Sequence, residues 1–438
     1  MPGTLGVVLT LLAFFFALTL ILWRPKGLNE AIPAAAGALL VLTSGSVSFS
    51  ELTHILSLIS GASVIIIATI AMAIILESFG FYQWAAEGLA ARAKGSGIRL
   101  FWYINLLCFL MTLFFNNDGS IIITTPILIL LLERLRIRNV QKIPYLLSGA
   151  LIATASSAPI GVSNIVNLIA LDIVGMNLTE QMVMMFVPSM IGLFLLLCLL
   201  FLCFRKFLPQ QLPELELQRN DSQKGQEHNR LMRNVLVFIF SVRISLYAAS
   251  YFEIPVEFVA VAGTAIMLGW RWAYLNVSPA DMLKKTPWHI FVFASGMYVM
   301  IYGLNNIGLS RVLIEFLQPL ISESVIQASY LMGWLLTLMS ISFNNHPALL
   351  IGMLTLASMP VDSTMLKAAY LASIIGSDIG SLILPIGTLA SLLWLNILKQ
   401  HRIEFKWKQY LKVTTIVIPP TLMVTLGLLA MWINWLNG

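Results

Sequence analysis

Asn116, Asn117 and Asp118 stand together in "FNNDGSIIITTP", inside one of the most apolar regions of the 438-residue chain. Two amides and a carboxyl offer donors and acceptors to a polar solute, and the carboxyl can also carry a proton. "SFNNHPALLIG" repeats the theme with Asn344, Asn345 and His346, an imidazole taking the place of the acid. A second pair of stretches is "SSAPIGVSNIVNL" and "GSDIGSLILPIGTLASLLWL". The first supplies Ser163, Asn164 and Asn167, and the second Ser377, Asp378 and Thr388. In each, a proline (Pro159, Pro385) removes a backbone donor and a glycine (Gly161, Gly387) lets the chain unwind, so a helix breaks there. Asp118, His346 and Asp378 are the candidate proton-coupling groups, because ionisable residues at membrane depth are functional by default. Asp118 is read as the main carrier, with His346 as its modulating partner. Glu77 and Arg243 also lie in apolar runs, and a structural pairing serves as well for them as a functional role.

Composition sets the surroundings of these residues. Charged side chains are 11% of the chain, against about 25% in a soluble domain. The apolar share is 58% and the mean hydropathy +0.87, as in a polytopic membrane protein. The net charge of +6 therefore points to basic cytoplasmic loops and not to nucleic acid. The first apolar run, Leu5 to Trp23, is long enough to span and is followed by no small-residue cleavage site, so it reads as a span. Cys108, Cys198 and Cys203 lie in apolar stretches without metal or redox spacing, and the five histidines are scattered; no metal or cofactor is expected. There is no GxxxxGK[ST] loop, so any ATP energy would come from another chain, for which the polar segment 205–233 is the docking candidate.

Apolar runs place spans near 5–23, 31–47, 57–79, 145–171, 183–204, 234–251, 255–273, 288–309, 367–398 and 411–435. The stretches 99–133 and 330–359, around the two "FNN" motifs, stand apart. Phe115 and Phe343 of those motifs are 228 residues apart, and Pro159 and Pro385 are 226 apart. Gly80 and Gly308 repeat the 228 offset, and Gly37 and Gly263 the 226 offset. Four anchors in one order at nearly one offset imply a tandem duplication: repeats 1–204 and 234–438, joined by the cytoplasmic linker 205–233.

The arms of the FNN stretches read as short. Arg99 to Phe115 has 17 residues and Ser120 to Glu133 has 14, about 25 and 21 Å of helix. In the second copy the arms have 14 and 12 residues, where a span needs ~20. Each pair suits a re-entrant hairpin that turns at FNN and leaves on the side it entered. Lys and Arg cluster at 24–26, 92–99, 134–142, 205–233, 271–285 and 399–412, and are absent from 47–56, 172–182 and 251–257. With both stretches as hairpins, every basic cluster falls on the cytoplasmic side. The expected fold is an all-α polytopic membrane protein, an inverted repeat of five transmembrane helices plus one re-entrant helical hairpin each. That makes ten spans and two hairpins, both termini outside, with discontinuous helices at the midplane.

At these residues the chain resembles the bacterial arsenite efflux permease family (ArsB), within the wider ion transporter superfamily. The carrying stretches are "FFNNDGSIIITTPILILLL", "PIGVSNIVNLIALDI", "SFNNHPALLIG" and "GSDIGSLILPIGTLASLLW", and the resemblance covers nearly the whole chain in order. The resemblance implies export of trivalent arsenic or antimony as the neutral hydroxide, across the bacterial cell membrane, in exchange for protons. Asn116, Asn117, Ser163, Asn164, Asn344, Asn345 and Thr388, with Gly119 and Gly387 beside them, fall at motif positions of the implied substrate site. Asp118 is also a motif position, whereas His346 stands where the family usually has an apolar residue.

The rival reading is a sodium/proton antiporter on the same scaffold, with Asp118, Asp378 and backbone carbonyls around a bare cation. Amides and hydroxyls outnumber carboxylates at the breaks, which suits a neutral solute better. A divalent anion fits poorly, since no Arg or Lys lies in the motif stretches. An intramembrane enzyme would need a motif such as HExxH, which is absent.

Overall fold

The computed structural model describes residues 3–213 and 223–437. The first half holds α1 (Thr4–Trp23), α2 (Ala31–Thr43), α3 (Phe49–Ser78), α4 (Phe81–Arg92), α5 (Gly97–Phe114), α6 (Asn117–Arg134), α7 (Asn139–Ala155), α8 (Ile165–Val174) and α9 (Leu178–Phe204). The second half holds α10 (Gln223–Tyr251), α11 (Val256–Leu275), α12 (Ala280–Lys285), α13 (His289–Asn306), α14 (Leu309–Ile321), α15 (Val325–Phe343), α16 (Asn345–Ala357), α17 (Ser363–Asp378), α18 (Leu389–Gln400) and α19 (Trp407–Asn437). No strand occurs among the described residues. Helices satisfy their own backbone groups, which a lipid solvent demands. Nine of the described helices are long and apolar enough to cross a membrane, and α13 with α14 forms a tenth candidate, bent by 73°. Large apolar side chains stay exposed on the outer helices, for example Phe16, Phe258 and Met431, as expected of surfaces that meet lipid. This is a multi-pass membrane protein.

Local chemistry explains where the elements start. Ser48 and Glu51 form a capping box on α3, and Asn177 and Glu180 one on α9. Gly80 and Gly308 sit at φ 78° and 104°, where a side chain is disfavoured, and each turns the chain from a long helix into a short one, α4 or α14. Between α11 and α13, Arg271 grips Asp281 through two bonds of 2.7 and 2.6 Å. That Arg271 grip, with Lys285 beside it, holds the Asp281 carboxyl well below the usual carboxylate range.

Packing in one half recurs in the other. α2 lies on α13 as α11 lies on α3, and α1 lies on α2 as α10 lies on α11. α6 packs on α18 as α16 packs on α8, so each FNN arm meets the broken helix of the opposite half.

Several expected boundaries move. α5 and α15 start at the caps Ser96 and Ser324, upstream of Arg99 and Tyr330, and reach 18 and 19 residues. Both therefore meet the length and apolarity of a crossing, and arm length alone does not mark them as re-entrant. The expected span 31–47 holds only the 13-residue α2, which ends at Thr43, where Ser44 and Ser46 turn back to the Thr10 hydroxyl. The linker 205–233 is helical from Gln223 onward; its centre, 214–222, lies outside the described residues.

Candidate functional site

Four helix starts carry the candidate residues. Asn116 caps α6 by accepting the Gly119 N–H at 2.9 Å, and Asn164 caps α8 by accepting the Val166 N–H at 3.2 Å. Asn344 caps α16 by accepting the His346 N–H at 3.5 Å, and Thr388 caps α18 by accepting the Ser391 N–H at 3.0 Å. These types recur because a short side-chain oxygen reaches the orphan N–H groups of a first turn. The ends of α7 and α17 complete the two breaks: helix stops at Ala155 and Asp378 and resumes at Ile165 and Leu389.

The breaks and tips form one connected cluster. Asp378 is fully buried, and its carboxylate accepts from Ser157 Oγ at 2.8 Å, Asn164 Nδ2 at 3.1 Å and Asn167 Nδ2 at 2.8 Å. The acid of the second break is thus held by three donors of the first. Ser157 Oγ also lies 2.7 Å from the Thr154 carbonyl, so one hydroxyl proton serves two acceptors. Within the first half, Ser163 Oγ donates to the Thr112 carbonyl at the end of α5, at 2.8 Å. In the second, the Asn345 N–H donates to the Gly387 carbonyl at 2.9 Å, and Asn344 Nδ2 to the Ile386 carbonyl at 3.2 Å.

Close approach explains two glycines. A Cβ at Gly119 would collide with the Asn116 oxygen that caps α6, and one at Gly387 would collide with the Ser381 carbonyl.

The ionisable groups take different places. Asp118 lies in the first turn of α6, where the helix end favours a negative charge, and its Oδ1 is buried with no hydrogen-bond partner among the described residues. Asp378 is within electrostatic range of it. His346 Nδ1 lies 3.0 Å from Asn345 Oδ1 and 3.4 Å from Asn344 Oδ1; both are acceptors, so Nδ1 carries the hydrogen. The ring rests edge-on against Phe293 at 5.6 Å, and Asp118 is not among its hydrogen-bond partners. No hydrogen bond joins the two tips among the described residues.

Other buried polar atoms here also lack partners among the described residues: Thr112 Oγ1, Ser120 Oγ, Asn167 Oδ1, Ser340 Oγ, Ser377 Oγ and Ser381 Oγ. Each such atom costs about 1–3 kcal/mol until something bonds it; those at the tips and breaks are open to a small polar solute, and others, such as Ser189 and Ser329, lie elsewhere in the bundle.

Ser157 is a site residue that sequence reasoning passes over, although it stands two positions before Pro159. Arg243 is the larger surprise. From α10 its Nε donates to the Phe114 carbonyl at 2.6 Å and its Nη2 donates to the Phe115 carbonyl, capping α5 at the first tip. Glu77 is exposed at the far end of α3 and does not pair with it. The motif stretches hold no Arg or Lys, but the fold brings one to the first tip, across 128 residues of chain.

A multi-pass helical protein with two broken helices, joined at a buried carboxylate and flanked by capped helix tips, has the architecture of a membrane carrier. Comparison with known proteins makes the class particular. The arsenical pump membrane protein family (ArsB) matches residues 9–433. The chain is 54% identical to a Bacillus subtilis (strain 168) protein, described as a candidate arsenical pump membrane protein, over 97% of this chain and 100% of that one. It is 32% identical to an arsenical pump membrane protein of Escherichia coli, over 95% and 97%. A Yersinia enterocolitica arsenical pump membrane protein is 30% identical, again over 95% and 97%. The chain belongs to the arsenical pump membrane protein family.

Proposed function

We propose that the protein is a secondary active exporter of arsenite and antimonite, carried as the neutral trihydroxides in exchange for protons, in a bacterial cell membrane. Asp378 carries this reading. As a carboxylate it accepts three bonds from Ser157, Asn164 and Asn167. As an acid it loses the charge that strengthens these bonds and gains a donor of its own, which Ser157 can accept by turning its hydroxyl proton to the Thr154 carbonyl. Charge-assisted hydrogen bonds are roughly twice as strong as neutral ones, so protonation weakens the hold of Asp378 on Asn164 and Asn167, and a solute hydroxyl can compete for those amides. Asp118, on the first tip, is the second carboxyl in the proton cycle. The solute pocket is built from Asn116, Asn117, Ser163, Asn164, Asn344, Asn345 and Thr388, with Gly119 and Gly387 permitting close approach. These neutral groups both donate and accept, as the hydroxyls of a trihydroxide require. Two of the Arg243 nitrogens face carbonyls at the end of α5, whose partial negative charge offsets part of its own, and its Nη1 is buried without a partner among the described residues.

The topology in this proposal is the inverted repeat: ten spans, the FNN pairs as opposed hairpins, and both termini outside. The recurring packing of the two halves and the one-sided basic loops support it. Opposed repeats let the joint at Asp378 face one side of the membrane and then the other.

The rival is sodium/proton antiport, favoured by two carboxyls, Asp118 and Asp378, within electrostatic range of each other. Everted vesicles decide. Uptake of arsenite and antimonite, driven by an acid interior and lost in Asp378→Asn, is the expected result. Sodium uptake driven by the same gradient, with arsenite left outside, replaces this reading with the antiporter.

A further inference from the structure

A groove of about 520 Å³ runs between α3 and α11, and no residue of the FNN tips lines it. Val64, Ala68 and Ile75 form one wall, Val261 and Leu268 the other, and Met282 of α12 closes one end. Two hydroxyls line it, and both are already engaged within the protein. Thr264 Oγ1 lies 3.0 Å from the Ala68 carbonyl and 2.8 Å from the Ala260 carbonyl, and Thr286 Oγ1 donates to the Met282 carbonyl at 2.7 Å. Between the two helices the wall is therefore apolar and asks for an apolar occupant.

Val64 and Val261 are 39% and 48% exposed, so the groove is open along its side. Both helices are long and apolar enough to cross a membrane, and what stands against that side is lipid. A partner helix does not fit. A helix about 10 Å across climbs about 5.4 Å per turn, so the groove holds only about one turn of it. An acyl chain is thin enough to lie along the whole length. The tail alone is not selected, since it leaves one hydrocarbon surrounding for another. Selection falls to the headgroup, at the α12 end.

That end is basic and interfacial. Lys284 and Lys285 are exposed in the last turn of α12. Lys285 lies 3.1 Å from Asp281, which Arg271 also holds, and Lys284 has no ion-pair partner among the described residues. With Glu77 at the end of α3 counted in, three cations stand against two carboxylates, a net positive mouth. Trp288 lines the groove and is 53% exposed, an amphipathic ring of the kind that marks a membrane–water interface. The segment 271–285 is one of the basic clusters, so by the same pattern the mouth lies at the cytoplasmic surface.

We infer that this groove binds an anionic diacyl phospholipid of the cytoplasmic leaflet, one acyl chain lying between α3 and α11 and the phosphate meeting Lys284 and Lys285. The lipid braces the cytoplasmic ends of α3 and α11, where Arg271 already ties α11 to Ser78 Oγ of α3 at 3.1 Å and to Asp281 of α12. The site stands apart from the solute pocket and does not depend on which solute is carried.

Native mass spectrometry of the purified protein, titrated with phosphatidylglycerol or with phosphatidylcholine of the same chains, tests this. The wild type is expected to hold the anionic lipid more tightly, by about fivefold for each lysine. Lys284→Gln and Lys285→Gln should each lose about that factor for phosphatidylglycerol and leave phosphatidylcholine unchanged. Ala265→Trp, at an exposed position of the α11 wall, fills the groove and should abolish retention of both lipids. Val64→Trp on the opposite wall should do the same, so a folding defect in one variant does not decide the result. Equal binding of the two lipids by the wild type overturns the proposal. Phosphatidylglycerol binding that survives a filled groove also overturns it, because the lysines then hold headgroups at the surface only. A dimer that the filled groove abolishes makes a second copy of the chain the occupant and overturns the lipid.

Discussion

Asn344 holds a backbone conformation, φ 75° and ψ 153°, that side chains rarely adopt. Such a residue costs about 1–3 kcal/mol and persists only where its surroundings over-determine it. Here its Nδ2 reaches the Ile386 carbonyl, its Oδ1 caps α16, and the next N–H is tied to Gly387. The strain holds the second tip against the second break, which is where a solute pocket needs it. Asn344→Gly is therefore expected to keep or raise the melting temperature of the purified protein while transport falls to background. Asn344→Ala keeps the strain and loses the cap, so it should melt earlier by about 1 kcal/mol of stability and also fail to transport. A glycine variant that transports normally would show that the side chain is not needed. Reading the sequence finds Asn344 because an amide pair in an apolar run is conspicuous. It does not find the φ angle, or the Asp378 partners Asn164 and Asn167, more than 200 positions away, because contact between the halves is a tertiary fact.

At the scale of elements, the end of α5 shows how a helix can stop inside an apolar interior. Its last carbonyls lack intrahelical donors, and in place of a glycine cap they receive Arg243 from α10. This also explains how a buried arginine is tolerated: its charge meets the negative end of a helix dipole. Arg243→Met should cost about 1–3 kcal/mol for each carbonyl left unbonded, seen as a lower melting temperature in detergent. Arg243→Lys should recover only part, because a single ammonium lacks the fork that reaches both oxygens. Equal stability in all three proteins would mean that the tip finds its donors elsewhere. The breaks at Pro159 and Pro385 are legible from residue type, since proline and glycine act locally. Helix starts are less so: Ser96 and Ser324 extend α5 and α15 beyond the polar residues that seem to bound them, and α10 runs into a segment whose composition reads as loop.

For the whole molecule, orientation depends on counting crossings, and one error inverts everything downstream. Charge supplies the independent constraint. With α5–α6 and α15–α16 each returning to the side they left, the basic clusters at 134–142 and 399–412 share one face, and 310–328, with only Arg311, lies on the other. Two sites suit a direct measurement. Val140 is 77% exposed beside the first basic cluster, and Ser322 is exposed in the turn between α14 and α15. With Cys108, Cys198 and Cys203 replaced, an impermeant thiol reagent added to intact cells is expected to label Ser322→Cys and to miss Val140→Cys; everted vesicles should reverse the pattern. Labelling of both positions from the same side would mean that the chain crosses an even number of times from α7 to α14 and not the five expected. With each FNN pair returning to the side it left, the two halves would then no longer be inverted, and the alternation proposed about Asp378, an exchange of mirrored conformations between them, would lose its structural basis.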